Sequence, residues 1–344
     1  MTKIQWTDKT WNPIAGCSKV SEGCRNCYAM HLAWRLGHNP KVADKYAGTA
    51  FRDKHGENKS KVRWTGYITF DEKALQIPLK EKKPTRYFAN SMSDLFHQNV
   101  TDDVIDQIFA VMSLCPHHTF QILTKRPGRM QDYLKNYHRK VEWLKAAQQL
   151  DGQGKLKKGI LFTLKEPLPN VWLGVSVEDQ KTANERIPIL LDTQAAIRWI
   201  SAEPLLGPVD LTKITWGDDF IWACTDALSG VDTCLEFPGE PRPSKSKLDW
   251  VVAGGESGKD ARPMHPDWAR SLRDQCQAAG VPFFFKQWGG WAPIIKDNRH
   301  LLLLLTKKRC RHFGDGTTMY LAGKKAAGSL LDGRTHLEFP ETDQ

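Results

Sequence analysis

The chain has 344 residues, 40% hydrophobic and 26% charged, the balance of a globular protein with a real core and not of a disordered or fibrous one. A formal charge of +10 and a pI near 9.1 fit a polyanionic partner. The start, MTKIQWTDKTW, is polar, and the longest aliphatic run, LLLLL at 301–305, is too short to cross a bilayer; the expectation is a cytoplasmic protein with no membrane partner.

In a reducing compartment the eight cysteines do not read as a disulfide framework; clustered ones point to metal and scattered ones to packing. Cys17, Cys24 and Cys27 cluster in IAGCSKVSEGCRNCYAM, with no fourth cysteine nearby. Gly16 and Gly23 allow a tight loop, and NCYAMHLAWRLG reads as a helix starting at the last cysteine. Structural zinc takes four protein ligands, so three thiols need His31 or a distant cysteine to complete a zinc knuckle. A [4Fe-4S] cluster on three thiolates instead leaves one iron open. S-adenosylmethionine could bind there through its amino and carboxylate groups, and an electron from the cluster would cleave its sulfonium to an adenosyl radical. From spacing alone the two readings stand level.

Basic residues follow. From Arg35 to Arg63 there are eight Lys/Arg against three acids, a second group includes Lys80, Lys82 and Lys83, and a third Lys155, Lys157 and Lys158. Together they favour DNA, RNA or a nucleotide as substrate.

Six apolar segments then end abruptly in polar residues: RYFANSMSD (86–94), TFQILTKRP (119–127), VWLGVSVED (171–179), IRWISAEPL (197–205), DWVVAGGESG (249–258) and VPFFFKQWG (281–289). Near-continuous apolar strands suit a parallel sheet covered on both faces. Helical patterns intervene. TDDVIDQIFAVMSLC opens on Thr101 as N-cap, and HPDWARSLRDQCQAAG closes on Gly280. Cys115 and Cys276 fall within these patterns as buried packing. The alternation predicts an α/β fold, a partial or complete parallel (β/α) barrel over 1–295, with its site at the C-terminal strand ends. Six strand ends with polar signatures, beside the cysteines, favour iron–sulfur over a small zinc module.

Two stretches interrupt the alternation. Residues 139–168 read as a basic insertion around the loop DGQGKLKKG, and 207–247, with Cys224, Cys234 and a Pro-rich segment, as an excursion above the barrel mouth. Residues 296–344 read as an appendage with a β-hairpin. Trp6 and Trp11 are expected to pack beneath the first strand, and His97 to be structural.

The cysteine loop followed by strand-end signatures resembles the radical S-adenosylmethionine superfamily, whose loop usually has three and then two residues between its cysteines; here the gaps are six (SKVSEG) and two (RN). Within that superfamily the chain resembles spore photoproduct lyase and its relatives. It implies that Ser93, Asp94, Lys125 and Ser176 cradle S-adenosylmethionine, and that a reducing electron donor is required. A still closer resemblance, over nearly the whole chain, is to a phage-associated three-Cys-motif family without an assigned reaction, carried by the blocks WNPIAGCSKVSEGCRNCYA, NSMSDLFH, LTKRP, SAEPLLGP, GGESG, FFFKQWG and LLDGR.

Three strand-end residues remain as candidate catalytic groups: Glu203 and Glu256, for binding substrate or adjusting a proton, and Lys286, for a phosphate or base. The function expected is radical chemistry in nucleic-acid repair or modification. The competing reading is a non-enzymatic, zinc-stapled nucleic-acid-binding protein.

Overall fold

The computed structural model describes residues 4–53, 61–150, 167–217, 222–234, 242–243, 246–294 and 309–341. Seven strands form one parallel sheet in chain order: β1 (Lys9–Trp11), β2 (Arg86–Ala89), β3 (Thr119–Thr124), β4 (Val171–Ser176), β5 (Ile197–Ala202), β6 (Trp250–Gly254) and β7 (Phe283–Gln287). All six apolar segments are strands of this sheet. Among the described residues no pairing joins β1 to β7, so the sheet is a half-barrel.

Side chains alternate across a strand with period two, and this assigns the two faces. Tyr87, Phe120, Ile122, Leu173, Val175, Ile200, Val251, Phe283 and Phe285 point outward into the core shared with the helices. Their neighbours Phe88, Trp172, Trp199, Trp250, Val252 and Phe284 fill the concave face around Trp6. The Trp6 ring lies 4.6 Å from Phe88 and 5.1 Å from Trp199. Trp6 therefore plugs the interior, while Trp11 ends β1 and donates from its indole to the Ala74 carbonyl at 2.8 Å. Toward the C-terminal ends the same alternation turns Ser176, Ser201 and Lys286 into an open cavity.

The outer layer includes α2 (Asp102–Leu114), α3 (Pro127–Lys135), α4 (Arg139–Leu150), α5 (Gln180–Leu191) and α6 (Pro266–Ala279), and α1 (Tyr28–Leu36) follows the cysteine loop. The α2 helix starts after Thr101, whose carbonyl, not its hydroxyl, serves the first turn. The α6 helix ends on Gly280 at φ 65°. Cys115 and Cys276 are buried as expected. The α1 helix packs its Ala29 and Ala33 against Ala15, Met92 and the hairpin of Ala50–Asp53 with Lys61–Trp64.

Three stretches outside the sheet take definite form. Residues 139–150 are helix, because Trp143, Ala146 and Ala147 give that stretch a buried face against α2; DGQGKLKKG, with Lys155, Lys157 and Lys158, lies outside the described residues. The 207–247 excursion includes the antiparallel strands Ile214–Gly217, Trp222–Asp226, Val231–Cys234 and Arg242–Pro243. Its described residues pack beside α5: Val209, Leu211, Ile214 and Leu228 bury in the outer core, and Asn184 donates to Thr215 Oγ1 at 2.6 Å. Most of its Pro-rich part lies outside the described residues.

The C-terminal hairpin is present, as Cys310–His312 paired with Thr318–Leu321, but Trp291–Pro293 joins it as a third strand, so residues on both sides of position 296 share one sheet. The LLLLL run lies outside the described residues. The last segment returns to the open edge of β7: His336 O accepts from Phe285 N, and Glu338 N donates to Phe283 O. Phe339 packs on Trp250 and Phe284, with Arg86 of β2 over its ring at 4.2 Å. This covers an edge that would otherwise present unpaired backbone groups. No helix among the described residues is long and apolar enough to cross a membrane.

Candidate active site

The cysteine loop lies between the short strand Ile14–Ala15 and α1. Gly16, at φ 100°, turns the chain where a Cβ would stand 2.0 Å from the Tyr67 carbonyl oxygen, and its backbone bridges to Ser93 beyond β2. Cys17, Cys24 and Cys27 are half-buried. Burial, then the carboxylate of Asp94, pushes the Cys17 thiol up to about 12, and burial raises Cys27 as well.

Three strand ends hold this loop. Beyond β3, Arg126 donates to Asp94 Oδ2 at 2.8 Å, to Ser18 Oγ at 2.9 Å and to Ser18 O at 3.2 Å, and its guanidinium lies 4.0 Å from Cys17 Sγ. Beyond β4, Glu178 accepts from Ser21 Oγ at 3.0 Å, from Arg186 at 3.2 Å and from Lys125. Gly23 permits this approach, since a Cβ there would stand 2.3 Å from Glu178 Oε1. Beyond β6, Glu256 accepts from Arg262 at 2.6 and 2.9 Å and from Asn26 Nδ2 at 3.0 Å, and Arg262 reaches Glu22 O at 3.0 Å. Charge-assisted bonds in a partly buried setting are strong and directional, so the loop is fixed from three sides.

All ten side chains singled out in the sequence border one cavity of about 440 Å³. Their occupations differ. Asp94 is saturated, accepting from Phe96 N, Thr124 Oγ1, Lys125 N and Arg126. Ser93 Oγ donates to Ile14 O at 3.2 Å, which leaves its lone pairs available. Ser176 lines the cavity, with its carbonyl held by Arg186 at 2.6 Å. Lys125 reaches Glu178, and Lys286 donates to both Glu203 oxygens at 2.8 Å. Glu203 and Lys286 are thus one ion pair, and Glu256 belongs to the loop clamp. His97 accepts from Asn99 N at Nδ1, so Nε2 carries the proton and meets Ser18 Oγ at 2.8 Å; it too supports the loop.

The residues the sequence reading passed over are Glu178, Arg126, Arg262 and Asn26, together with Asn90, which lines the cavity at the end of β2. Glu178 had a usable signal: it lies two residues beyond Ser176 and so faces the same side.

The thiol arrangement bears on what it could hold. Four sulfurs about 2.3 Å from one zinc stand less than 4 Å apart, whereas each thiolate of a 4Fe-4S cluster takes a different iron and stands farther from its fellows. Among the described residues, the group of three His, Cys, Asp or Glu with ligand atoms within 4.8 Å of one another is His265, Asp267 and Asp315. The three cysteines do not converge to that degree, with or without His31. As a donor set, three thiolates with no fourth protein ligand suit a 4Fe-4S cluster that keeps one iron open.

Fold and site together define a half-barrel with a three-thiol loop clamped across the mouth of a cavity that combines apolar wall with strand-end polar groups. The chain belongs to the family described as protein of unknown function DUF5131, whose model matches residues 1–340. No curated protein matches it. Among solved structures it is similar to a tyrosine-to-phenylalanine variant of spore photoproduct lyase, at 10% identity and a TM-score of 0.33 over 91% of this chain and 67% of that one. It is similar at 10% identity and 0.32 to a cysteine-to-alanine variant with dinucleoside spore photoproduct, and at 9% and 0.32 to a double variant with bound AdoMet and the same lesion, with the same coverage in both.

Proposed function

We propose that this protein is a radical S-adenosylmethionine enzyme, holding one 4Fe-4S cluster on Cys17, Cys24 and Cys27 and acting on a nucleic acid or nucleotide. The observation that carries the reading is the loop: three thiols without a fourth, bordering the cavity that also gathers the strand-end polar groups. Such a cluster leaves one iron open to S-adenosylmethionine and supplies the electron that cleaves its sulfonium.

The chain's own residues have separable tasks. Arg126, Glu178 and the Glu256–Arg262 pair hold the loop in place before any ligand arrives. Ser93 and Ser176 offer hydroxyl oxygens to an ammonium group and a ribose. Lys125 offers its ammonium to a carboxylate in exchange for Glu178, and Asp94 acts indirectly, through Arg126 and Thr124. Glu203 and Lys286 face the substrate. A low-potential electron donor is required. The excess of 49 Lys and Arg over 39 Asp and Glu supports a polyanionic substrate.

The test is anaerobic reconstitution with iron and sulfide, followed by dithionite and S-adenosylmethionine. The expected product is 5′-deoxyadenosine, absent in Cys17→Ala, Cys24→Ala and Cys27→Ala. No product, with one zinc per chain, would leave a metal-stapled binding protein. Binding to single-stranded DNA or RNA should weaken steeply with salt, because displaced counterions scale with phosphate contacts; a flat response indicates a small-molecule substrate.

A further inference from the structure

The cavity's charges largely answer one another. Arg126 faces Asp94, Lys125 faces Glu178, and Lys286 faces Glu203. Its unanswered groups are neutral. Asn90, only 3% exposed at the end of β2, has no partner at either Oδ1 or Nδ2. Gln287 Oε1, at the end of β7, and the Trp6 indole Nε1 are likewise buried and unpartnered. All three residues border the cavity, where Phe88 and Leu123 supply apolar wall.

A buried donor or acceptor left without a partner costs about 1–3 kcal/mol, and native chains keep few of them. Two carboxamides and an indole N–H bordering one cavity suit a ligand that both donates and accepts. A phosphate or carboxylate does not answer a bare carbonyl oxygen, since both would be acceptors. An aliphatic chain answers none of these groups. A flat ring with both donors and acceptors on its edge answers all of them: a carboxamide can pair bidentately with such an edge, while aromatic walls take the ring faces.

We infer that the inner end of the cavity is a nucleobase subsite, with Asn90 and Gln287 reading the polar edge and Trp6 and Phe88 flanking the ring. This rests on the nucleotide reading above, but it needs neither cluster nor turnover, so the two can fail separately.

The experiment is calorimetric titration of the full chain with thymidine, cytidine, adenosine and guanosine, with ribose as control and S-adenosylmethionine titrated in parallel. Asn90→Gly removes the amide while tolerating the left-handed backbone at φ 68°. Gln287→Leu and Trp6→Phe remove one polar group each at nearly constant shape, and serve should Asn90→Gly fail to fold. The expected result is binding of at least one nucleoside, weakened tenfold or more by each variant that keeps the wild-type melting temperature, with no ribose binding. Absence of nucleoside binding, even while 5′-deoxyadenosine is still formed, overturns the subsite and leaves the proposed reaction standing. Nucleoside binding unchanged in the variants also overturns it. So does a parallel loss of S-adenosylmethionine binding, which would give these amides to S-adenosylmethionine instead.

Discussion

At the N-terminal ends of the strands, the concave face is filled by Trp6, Trp172, Trp199, Trp250 and Phe284, and Phe339 closes the gap from outside. At the C-terminal ends the same face is open and lined by ion pairs that reach up to the cysteine loop. One end is held by area removed from water, which is non-directional. The other is held by charge-assisted hydrogen bonds, which fix position more than they add stability. The difference separates tasks: the aromatic end keeps the sheet curled, and the charged end presents three thiols in one arrangement.

The largest effects should distinguish the ends by kind. Trp250→Ala removes a fully buried indole and is expected to cost about 3–5 kcal/mol in urea unfolding, with the iron bound per folded chain unchanged. Glu178→Ala leaves Arg186, whose side chain is 5% exposed, without its carboxylate. A cost of about 3–5 kcal/mol is expected, and here iron retention should fall as well. If both variants lose iron equally per folded chain, the separation of tasks is wrong.

Gly174→Ala is a finer probe of the aromatic end. A Cβ there would stand 2.5 Å from the Trp199 ring, in a cluster with no room to yield, so a loss of about 1–3 kcal/mol is expected. A neutral result would mean that the indoles repack easily.

The smallest effect concerns the appendage. Bonds from Arg270, opposed by burial, and from Arg273 hold the Asp332 carboxyl down to about 2. A carboxylate lowered in the folded state stabilises above its ordinary pKa, and that stabilisation is lost as pH falls through the folded value. Asp332→Asn should therefore melt below wild type at pH 7, by under about 1 kcal/mol for so exposed a pair. The gap should close between about pH 4 and pH 2. A gap independent of pH would assign the effect to something other than the ion pairs.

The sheet was legible in the sequence because six of its strands are continuous apolar runs with polar ends, and runs of that kind need both faces covered. Strand β1 escaped because three residues are too few to show a period. Trp6 escaped because nothing local tells a plug from a residue beneath a strand; its partners Phe88 and Trp199 lie far along the chain. The cysteines were legible as a cluster and seven cavity-lining residues as strand-end signatures, but their hydrogen-bond partners were not. Glu256 meets Asn26 across 230 positions and Glu178 meets Ser21 across 157, so the loop contacts of these carboxylates could not be read locally. Glu178 itself was within reach, since the alternation that turns Ser176 inward turns Glu178 inward too.

The most direct test of the account is the electron paramagnetic resonance spectrum of the reconstituted, dithionite-reduced protein, recorded with and without S-adenosylmethionine. The account predicts a reduced iron–sulfur signal that shifts when S-adenosylmethionine is added, because three thiolates leave one iron open to it. A colourless protein with a single zinc, or an iron–sulfur signal indifferent to S-adenosylmethionine, would contradict it.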